Sequence, residues 1–172
     1  MENAEIVERK KLLDLAMDFY FLNGVTSESN VESAEIAVRA GYDMYFGEGA
    51  SRGMSEQDLI RNALDCYEYV STLIMSVGKR DAVAEFTVDE LIINHKRVLN
   101  VAKEISFISG AKRSDYKQVG LCDEYLRKDF ESIFGKGSSK GKTYSKMAGD
   151  TLAYLESKTY PKANDFAISE KA

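Results

Sequence analysis

Proline is almost missing from this sequence of 172 residues, where it occurs only once, as Pro161. Proline interrupts the interior of an α-helix and is at home in loops and turns. Its absence from residues 1–160 therefore permits long, uninterrupted helices. The sequence contains 12 glycines, and several of them fall between apolar segments of helical periodicity. This pattern favours long helices joined by short turns that contain glycine.

Cysteine, histidine and tryptophan are also scarce. The two cysteines, Cys66 and Cys122, have no C-x-x-C spacing. We interpret them as reduced, partly buried thiols of a cytosolic protein, with a disulfide or a metal site as the alternatives. No apolar run approaches the ~18 residues that a membrane-spanning helix needs. The chain begins with an acidic segment that has no leader pattern. We expect a cytoplasmic protein with no membrane partner and no cofactor.

Positive charge is in deficit, since 23 Lys and Arg residues face 28 Asp and Glu residues and the net charge is −5. An acidic balance disfavours broad contact with nucleic acid, but it does not exclude a local basic patch. The hydrophobic fraction of 44% and the charged fraction of 30% are ordinary for a globular protein. The length suits one domain, which we place at residues 1–158, followed by a C-terminal tail at 159–172.

Apolar residues recur at helical spacing along most of the chain, and no alternating strand pattern stands out. The predicted helices span about residues 3–23, 30–46, 55–77, 87–109, 114–134 and 144–158. Gly24 and Gly110 are interpreted as helix ends, and capping boxes are predicted at Ser29, Ser55 and Thr87. We find no internal repeat. The predicted fold is all-α, a bundle of five to six amphipathic helices with short Gly-containing turns.

One segment, residues 135–143, is both basic and rich in glycine. It misses the phosphate-binding pattern G-x-x-x-x-G-K-[ST] by one residue, because Lys136 stands where the first glycine is required and a helix precedes it instead of a strand. A solvated surface loop is the favoured interpretation, and anion binding at the start of helix six is the alternative. The candidate anion-binding residues are Lys136, Lys140, Lys142, Thr143 and Lys146.

Two pairs of acidic residues are similar to those with which small all-α nucleotide pyrophosphohydrolases hold magnesium. The pairs are Glu32 with Glu35 and Asp65 with Glu68. Helical geometry points these carboxylates in divergent directions, so a metal site there is the weaker alternative. His95, the single histidine, falls among apolar residues of helix four and is interpreted as a hydrogen-bonded core imidazole.

The segment 34–42 has the Ala37-to-Gly41 spacing of a helix-turn-helix. It resembles a short motif of the small terminase subunits of DNA packaging, which implies DNA binding. The segment that should hold a recognition helix is acidic and broken by glycine, and residues 28–58 contain seven acidic residues against two arginines. Such a surface would repel phosphate.

We find no set of catalytic residues that satisfies both spacing and helical face. The sequence therefore predicts a non-enzymatic protein-binding or assembly module, with homo-oligomerisation through a helix face. Its composition is typical of small acidic helical proteins of phage and mobile elements, which serve as assembly parts or inhibitors. The alternatives are a DNA- or RNA-binding protein, through the basic loop or the helix-turn-helix, and a magnesium-dependent nucleotide pyrophosphohydrolase.

Overall fold

A computed structural model describes residues 2–26, 31–78, 87–112 and 116–160. These residues form six α-helices and no strand, so the predicted all-α bundle is confirmed. The helices are α1 Glu2–Val25, α2 Val31–Phe46, α3 Glu56–Gly78, α4 Val88–Lys112, α5 Tyr116–Phe134 and α6 Tyr144–Thr159. No helix in the described ranges is long and apolar enough to cross a bilayer.

Side-chain caps fix several helix beginnings, and at Ser55 and Thr87 the sequence predicts them. Thr87 and Glu90 form a reciprocal capping box, in which each side chain accepts a hydrogen bond from the other residue's backbone amide. Ser55 accepts from the amide of Asp58, and Thr143 accepts from the amide of Lys146. The predicted cap at Ser29, the start of helix five at Ser114 and the tail beyond Tyr160 lie outside the described residues.

The prediction that the chain has no internal repeat is wrong. Residues 9–24 of α1 match residues 95–110 of α4, with lysine, leucine, alanine, phenylalanine and glycine recurring in the same order. Residues 35–55 match residues 123–143 in the same way. The chain is therefore a tandem of two three-helix units, α1–α3 and α4–α6. Many substitutions between the units, such as Leu for Val or Asp for Glu, hide the repeat from inspection of the sequence.

The two units are intertwined. α1 and α4 pack against each other at the centre, α3 of the first unit covers α4, and α6 of the second unit covers α1. α2 likewise packs on α4, and α5 packs on α1. Each unit therefore completes the apolar core of the other, in a reciprocal arrangement that follows an approximate two-fold axis.

The sequence predicts that Gly24 and Gly110 end their helices, but both helices continue past these glycines. α1 continues to Val25 and α4 to Lys112, and neither glycine has a positive φ. A Cβ on Gly24 would lie 1.9 Å from the carbonyl oxygen of Phe107, and one on Gly110 would lie 1.8 Å from that of Phe21. The absent side chains let the two central helices touch backbone to backbone, and the reciprocity places this crossing on the two-fold axis.

Candidate functional site

The predicted anion-binding residues lie in the loop between α5 and α6 and in the first turn of α6. Lys136 and Lys140 are exposed, while Lys142 and Lys146 both contact the carboxylate of Asp150, at 3.0 and 3.1 Å. Thr143 caps α6. Two of the four lysines therefore already have an anionic partner.

The loop holds an anion of its own, which is the side chain of Glu131. This carboxylate accepts hydrogen bonds from the amide of Gly137 and from the hydroxyl of Ser139. Further loop amides donate to loop carbonyls, among them those of Ser138 and Lys140. A phosphate-binding loop instead keeps its amides free to point at the ligand.

Arg127 ties this loop to α5. Its guanidinium donates to the carbonyl oxygens of Ser139 and Lys142, at 2.6 and 2.9 Å, while its Nε donates to Asp123 at 2.9 Å. A planar fork of this kind suits two carbonyls and one carboxylate at once. The loop is thus fastened along its length by one arginine.

The loop between α2 and α3 has the same structure. Arg39 donates to the carbonyls of Ser51 and Met54, both at 2.7 Å, and to Glu35 at 3.3 Å. Asp43 accepts from the amide of Ser51 at 2.7 Å, and this hydrogen bond lowers the pKa of Asp43. The three glycines of each loop have matching φ values, namely 118°, 80° and 76° at Gly47, Gly49 and Gly53 and 110°, 82° and 76° at Gly135, Gly137 and Gly141.

This duplication explains the near-match to a phosphate-binding motif. The Gly and Ser pattern serves the turn, since it recurs in a loop that carries Glu48 and Met54 where the second loop has Lys136 and Lys142. The positive φ values require glycine for steric reasons alone. The second loop differs chemically from the first by Lys136 and Lys142 and by Ser138, which takes the place of Ala50.

The four acidic residues proposed as a magnesium site do not share one location. Glu35 contacts Arg39 and Lys112, whereas Glu68 lies 3.9 Å from Arg9 and Asp65 is exposed on α3. The side chain of Glu32 is outside the described set. Across the described residues, no group of three His, Cys, Asp or Glu side chains is arranged to hold a metal ion.

His95 is a fully buried core residue, as predicted. Its ring stacks on Tyr67 at 3.7 Å between centroids. The hydroxyl of Ser71 donates to the carbonyl of Tyr67 and therefore accepts from Nε2 of His95, at 2.6 Å, while Nδ1 accepts from Tyr160 at 3.0 Å. Burial, with a contribution from the charge of Arg9, lowers the pKa of His95 to about 3. The imidazole is neutral and closed off from any substrate.

The counterpart of His95 in the first unit is Arg9, which is also buried. Arg9 hydrogen-bonds the hydroxyl of Thr159 on α6, just as His95 bonds Ser71 on α3. These paired contacts fasten the third helix of each unit to the first helix of the other. Their role is internal cohesion, because neither polar group reaches the surface.

The outer side of α2 carries the two most exposed large hydrophobic side chains of the described residues. Ile36 is 74% exposed and Met44 is 90% exposed. Two exposed alanines, Ala37 and Ala40, lie between them. The spacing 36, 40, 44 places these side chains on one stripe. We call the surface formed by Ile36, Ala37, Ala40 and Met44 the α2 face.

The equivalent side of α5 has a different chemistry. Ala37 corresponds there to Tyr125, which is 70% exposed, whereas Ile36, Ala40 and Met44 correspond to Glu124, Lys128 and Ser132. The two helices occupy the same place in the repeat, so the fold accepts polar residues at these positions. The apolar stripe on α2 is therefore not a requirement of folding.

A groove borders this region in each unit, between the second helix of one unit and the first helix of the other. The groove between α2 and α4 has a volume of about 380 Å³, and the groove between α1 and α5 has one of about 420 Å³. Six lining positions correspond one to one: Gly41, Met44, Tyr45, Arg97, Asn100 and Val101 in the first, and Asp129, Ser132, Ile133, Lys11, Asp14 and Leu15 in the second.

The two grooves differ in charge. Asp14, Asp18 and Asp129 border the α1–α5 groove, and none of them forms an ion pair with another described residue. Loss of solvent, together with the charges of Asp14 and Asp129, raises the pKa of Asp18 to about 6. Lys11 is the only cation that lines this groove.

The surface between α2 and α4 is bordered by cations instead. Arg97 is exposed and, among the described residues, has no ion-pair partner. Lys103 lies over the ring of Tyr20 at 5.2 Å and is likewise without a carboxylate partner in the described ranges. Among the described residues that line this surface, Glu104 is the only carboxylate.

The sequence-based search for sites missed the α2 face and both grooves. The signal was present, since Ile36 and Met44 fall outside the apolar stripe that packs inward through Val38 and Tyr42. Recognising them as unusual requires the counterpart residues of α5, and hence the repeat.

No protein-family model, curated protein or solved structure matches this chain.

Proposed function

We propose that this chain is a non-enzymatic protein-binding module whose docking surface is the α2 face. The observation that carries the proposal is the exposure of Ile36 and Met44 on a helix whose counterpart is polar at the same positions. Exposed apolar stripes that the fold does not require are typical of interaction sites.

The energetics favour docking of another apolar surface here. Full burial of a Met or Ile side chain contributes about 1.5–3 kcal/mol, and both side chains are largely solvated in the single chain. The alanines between them have small side chains, so a partner helix or loop can approach the backbone of α2 closely. Methionine is flexible and adapts to the shape of a partner surface.

Binding is better supported than the activities that the sequence offers as alternatives. The basic loop already binds the carboxylate of Glu131, and Asp150 pairs with Lys142 of the loop and with Lys146 of α6. Gly41, which a helix-turn-helix would place in its turn, lies inside α2. The acidic residues of the suggested magnesium site engage different basic side chains, which separates Glu35 from Glu68.

Photo-crosslinking tests the proposal directly. We would introduce p-benzoylphenylalanine at Met44 and, as the matched control, at Tyr69, which is 66% exposed on α3 outside the α2 face. In cells of the organism that encodes the chain, the probe at Met44 should give a discrete protein adduct that the probe at Tyr69 does not give. Adding Ile36→Lys should abolish that adduct.

Equal labelling from the two probe positions would contradict the proposal, as would an adduct that persists in the Ile36→Lys background. The variant should keep the circular dichroism and melting temperature of the parent chain, because the side chain of Ile36 is mostly in solvent. Loss of the adduct then reports loss of docking and not loss of folding.

A further inference from the structure

The surface that would complement the α2 face is present on the same chain. The α1–α5 groove has an apolar floor, formed by Leu12, Leu15, Leu126 and Ile133, beneath a rim of carboxylates. The α2 face has the opposite arrangement, since its exposed Ile and Met side chains are flanked by the cations Arg97 and Lys103 and by one carboxylate, Glu104. Apolar groups can therefore meet apolar groups while unpaired cations meet unpaired anions.

We infer that the occupant of the α2 face is a second copy of this chain, and that the α2 face of one copy docks into the α1–α5 groove of the next. This inference rests on the proposed function and names its partner. Met44 would enter the groove floor, with Arg97 and Lys103 beside the rim carboxylates. Charge complementarity of this kind fixes the register of docking and favours association.

The carboxylates on the rim support this choice of partner. Asp14, Asp18 and Asp129 line the same groove, and the pKa of Asp18 is raised first by partial loss of solvent and then by the charges of the other two carboxylates. Three neighbouring unpaired carboxylates are stabilised by any cation placed among them. The docked copy would supply two.

The approximate two-fold axis fixes the geometry of the assembly. This axis relates the α2–α4 side of a chain to its α1–α5 side, and the two sides lie at different places on the surface. A contact between the α2–α4 side of one copy and the α1–α5 side of the next therefore joins two different surfaces. Each added copy keeps one donor face and one acceptor groove free. Such head-to-tail contacts produce rings or open chains and not a closed dimer.

Two single variants, each with one side blocked, test the inference. Met44→Glu places an acid on the donor face and leaves the groove intact, whereas Asp129→Lys places a cation on the groove rim and leaves the donor face intact. Sedimentation velocity and light scattering should show species larger than a dimer for the parent chain. Each variant alone should be a monomer. Their equimolar mixture should form a 1:1 heterodimer that grows no further, because its two outer faces are blocked.

Tyr69→Glu is the matched control, since it replaces an exposed large side chain by an acid outside both faces, and it should assemble like the parent. Asp14→Lys provides a second blocked groove if Asp129→Lys alters the circular dichroism. Raising the salt concentration should shift the parent towards monomer, because screening weakens exposed charge pairs.

Three outcomes would overturn the inference. They are a parent chain that stays monomeric at the highest concentration reached, a closed dimer that Asp129→Lys and Asp14→Lys leave intact, and a mixture of the blocked variants that stays monomeric. The proposed function fails separately, by the crosslinking test above. A Met44-dependent adduct with a different protein, alongside a monomeric parent chain, would uphold the binding module and refute self-assembly.

Discussion

His95 shows how the fold determines the chemistry of a single residue. The imidazole is buried, stacked on Tyr67 and hydrogen-bonded at both ring nitrogens, and its pKa is lowered to about 3. In the unfolded chain the same ring would titrate at about its ordinary pKa of 6.5. Between these two values the unfolded state binds one more proton than the folded state.

The free energy of unfolding should therefore decrease as the pH falls below 6.5. The expected slope is up to about 1.4 kcal/mol per pH unit, since stability rises with pH wherever the unfolded state binds more protons. Asp18 acts in the opposite sense, because its pKa is raised to about 6 and its protonated form is favoured in the folded state. Urea unfolding between pH 4 and 7 should therefore be measured in an Asp18→Asn background.

His95→Gln is the control for this prediction. Glutamine keeps a donor and an acceptor for Ser71 and Tyr160 but does not titrate, so the contribution of one proton to the slope should disappear. An unchanged slope in His95→Gln would show that other groups account for the acid sensitivity.

The crossing of α1 and α4 belongs to the scale of whole elements. Its two glycines face backbone carbonyls of the opposite helix at distances that leave no space for a methyl group. Because both glycines lie near the ends of apolar segments, the sequence predicts that they end their helices. The structure assigns them to helix contact instead, because only glycine allows this approach.

Gly24→Ala and Gly110→Ala should each lower the free energy of unfolding by about 1–3 kcal/mol or more, since the added methyl group must force the two backbones apart. Gly149→Ala is the matched control, because Gly149 lies in α6 with nothing within 4 Å of an added Cβ. That variant should gain about 0.5–1 kcal/mol from the better helix propensity of alanine. Urea unfolding of the three variants measures these changes. Similar changes in the free energy of unfolding in all three would contradict this account of the crossing.

On the scale of the whole molecule, the reciprocal packing makes the two units depend on each other. α3 covers α4 and α6 covers α1, so neither unit encloses its own core. The largest cluster of buried apolar residues accordingly includes side chains from α1, α2, α3, α4 and α6. A perturbation in one unit must therefore reach the other.

Ile105→Ala tests this coupling, because Ile105 is fully buried on α4 at the position equivalent to Phe19. The substitution should cost about 2–5 kcal/mol. The slowest-exchanging amides of α1 and α6 should lose as much protection as those of α3 when native-state hydrogen exchange is measured. A loss confined to one unit would show that the units unfold independently.

The helices themselves were predictable from particular residues. The capping box of Thr87 and Glu90 predicts the start of α4. The apolar spacing through Val98, Ala102 and Ile105 predicts its buried side. The loops were harder, because Gly135 and Lys142 imitate a phosphate-binding motif while their conformation serves a turn. Comparing that loop with the one at Gly47 would have revealed this, since both carry the same glycine and serine spacing.

The sequence by itself determined the approximate helix positions, the caps at Ser55 and Thr87 and the buried side of α4, because these depend on interactions within about one helical turn. Only the tertiary structure decided that Gly24 and Gly110 each contact the backbone of the opposite central helix, that Glu131 hydrogen-bonds to its own loop and that Ile36 and Met44 of α2 are exposed. The glycine contacts join residues far apart in the chain, and the exposure of α2 depends on which helices pack against it, so both follow from how the two units interlock. The partners of Glu131 lie six and eight residues away, which is beyond one helical turn. The local pattern of a helix does not encode its partner, so the candidate binding surface became visible only once α2 and α5 could be compared.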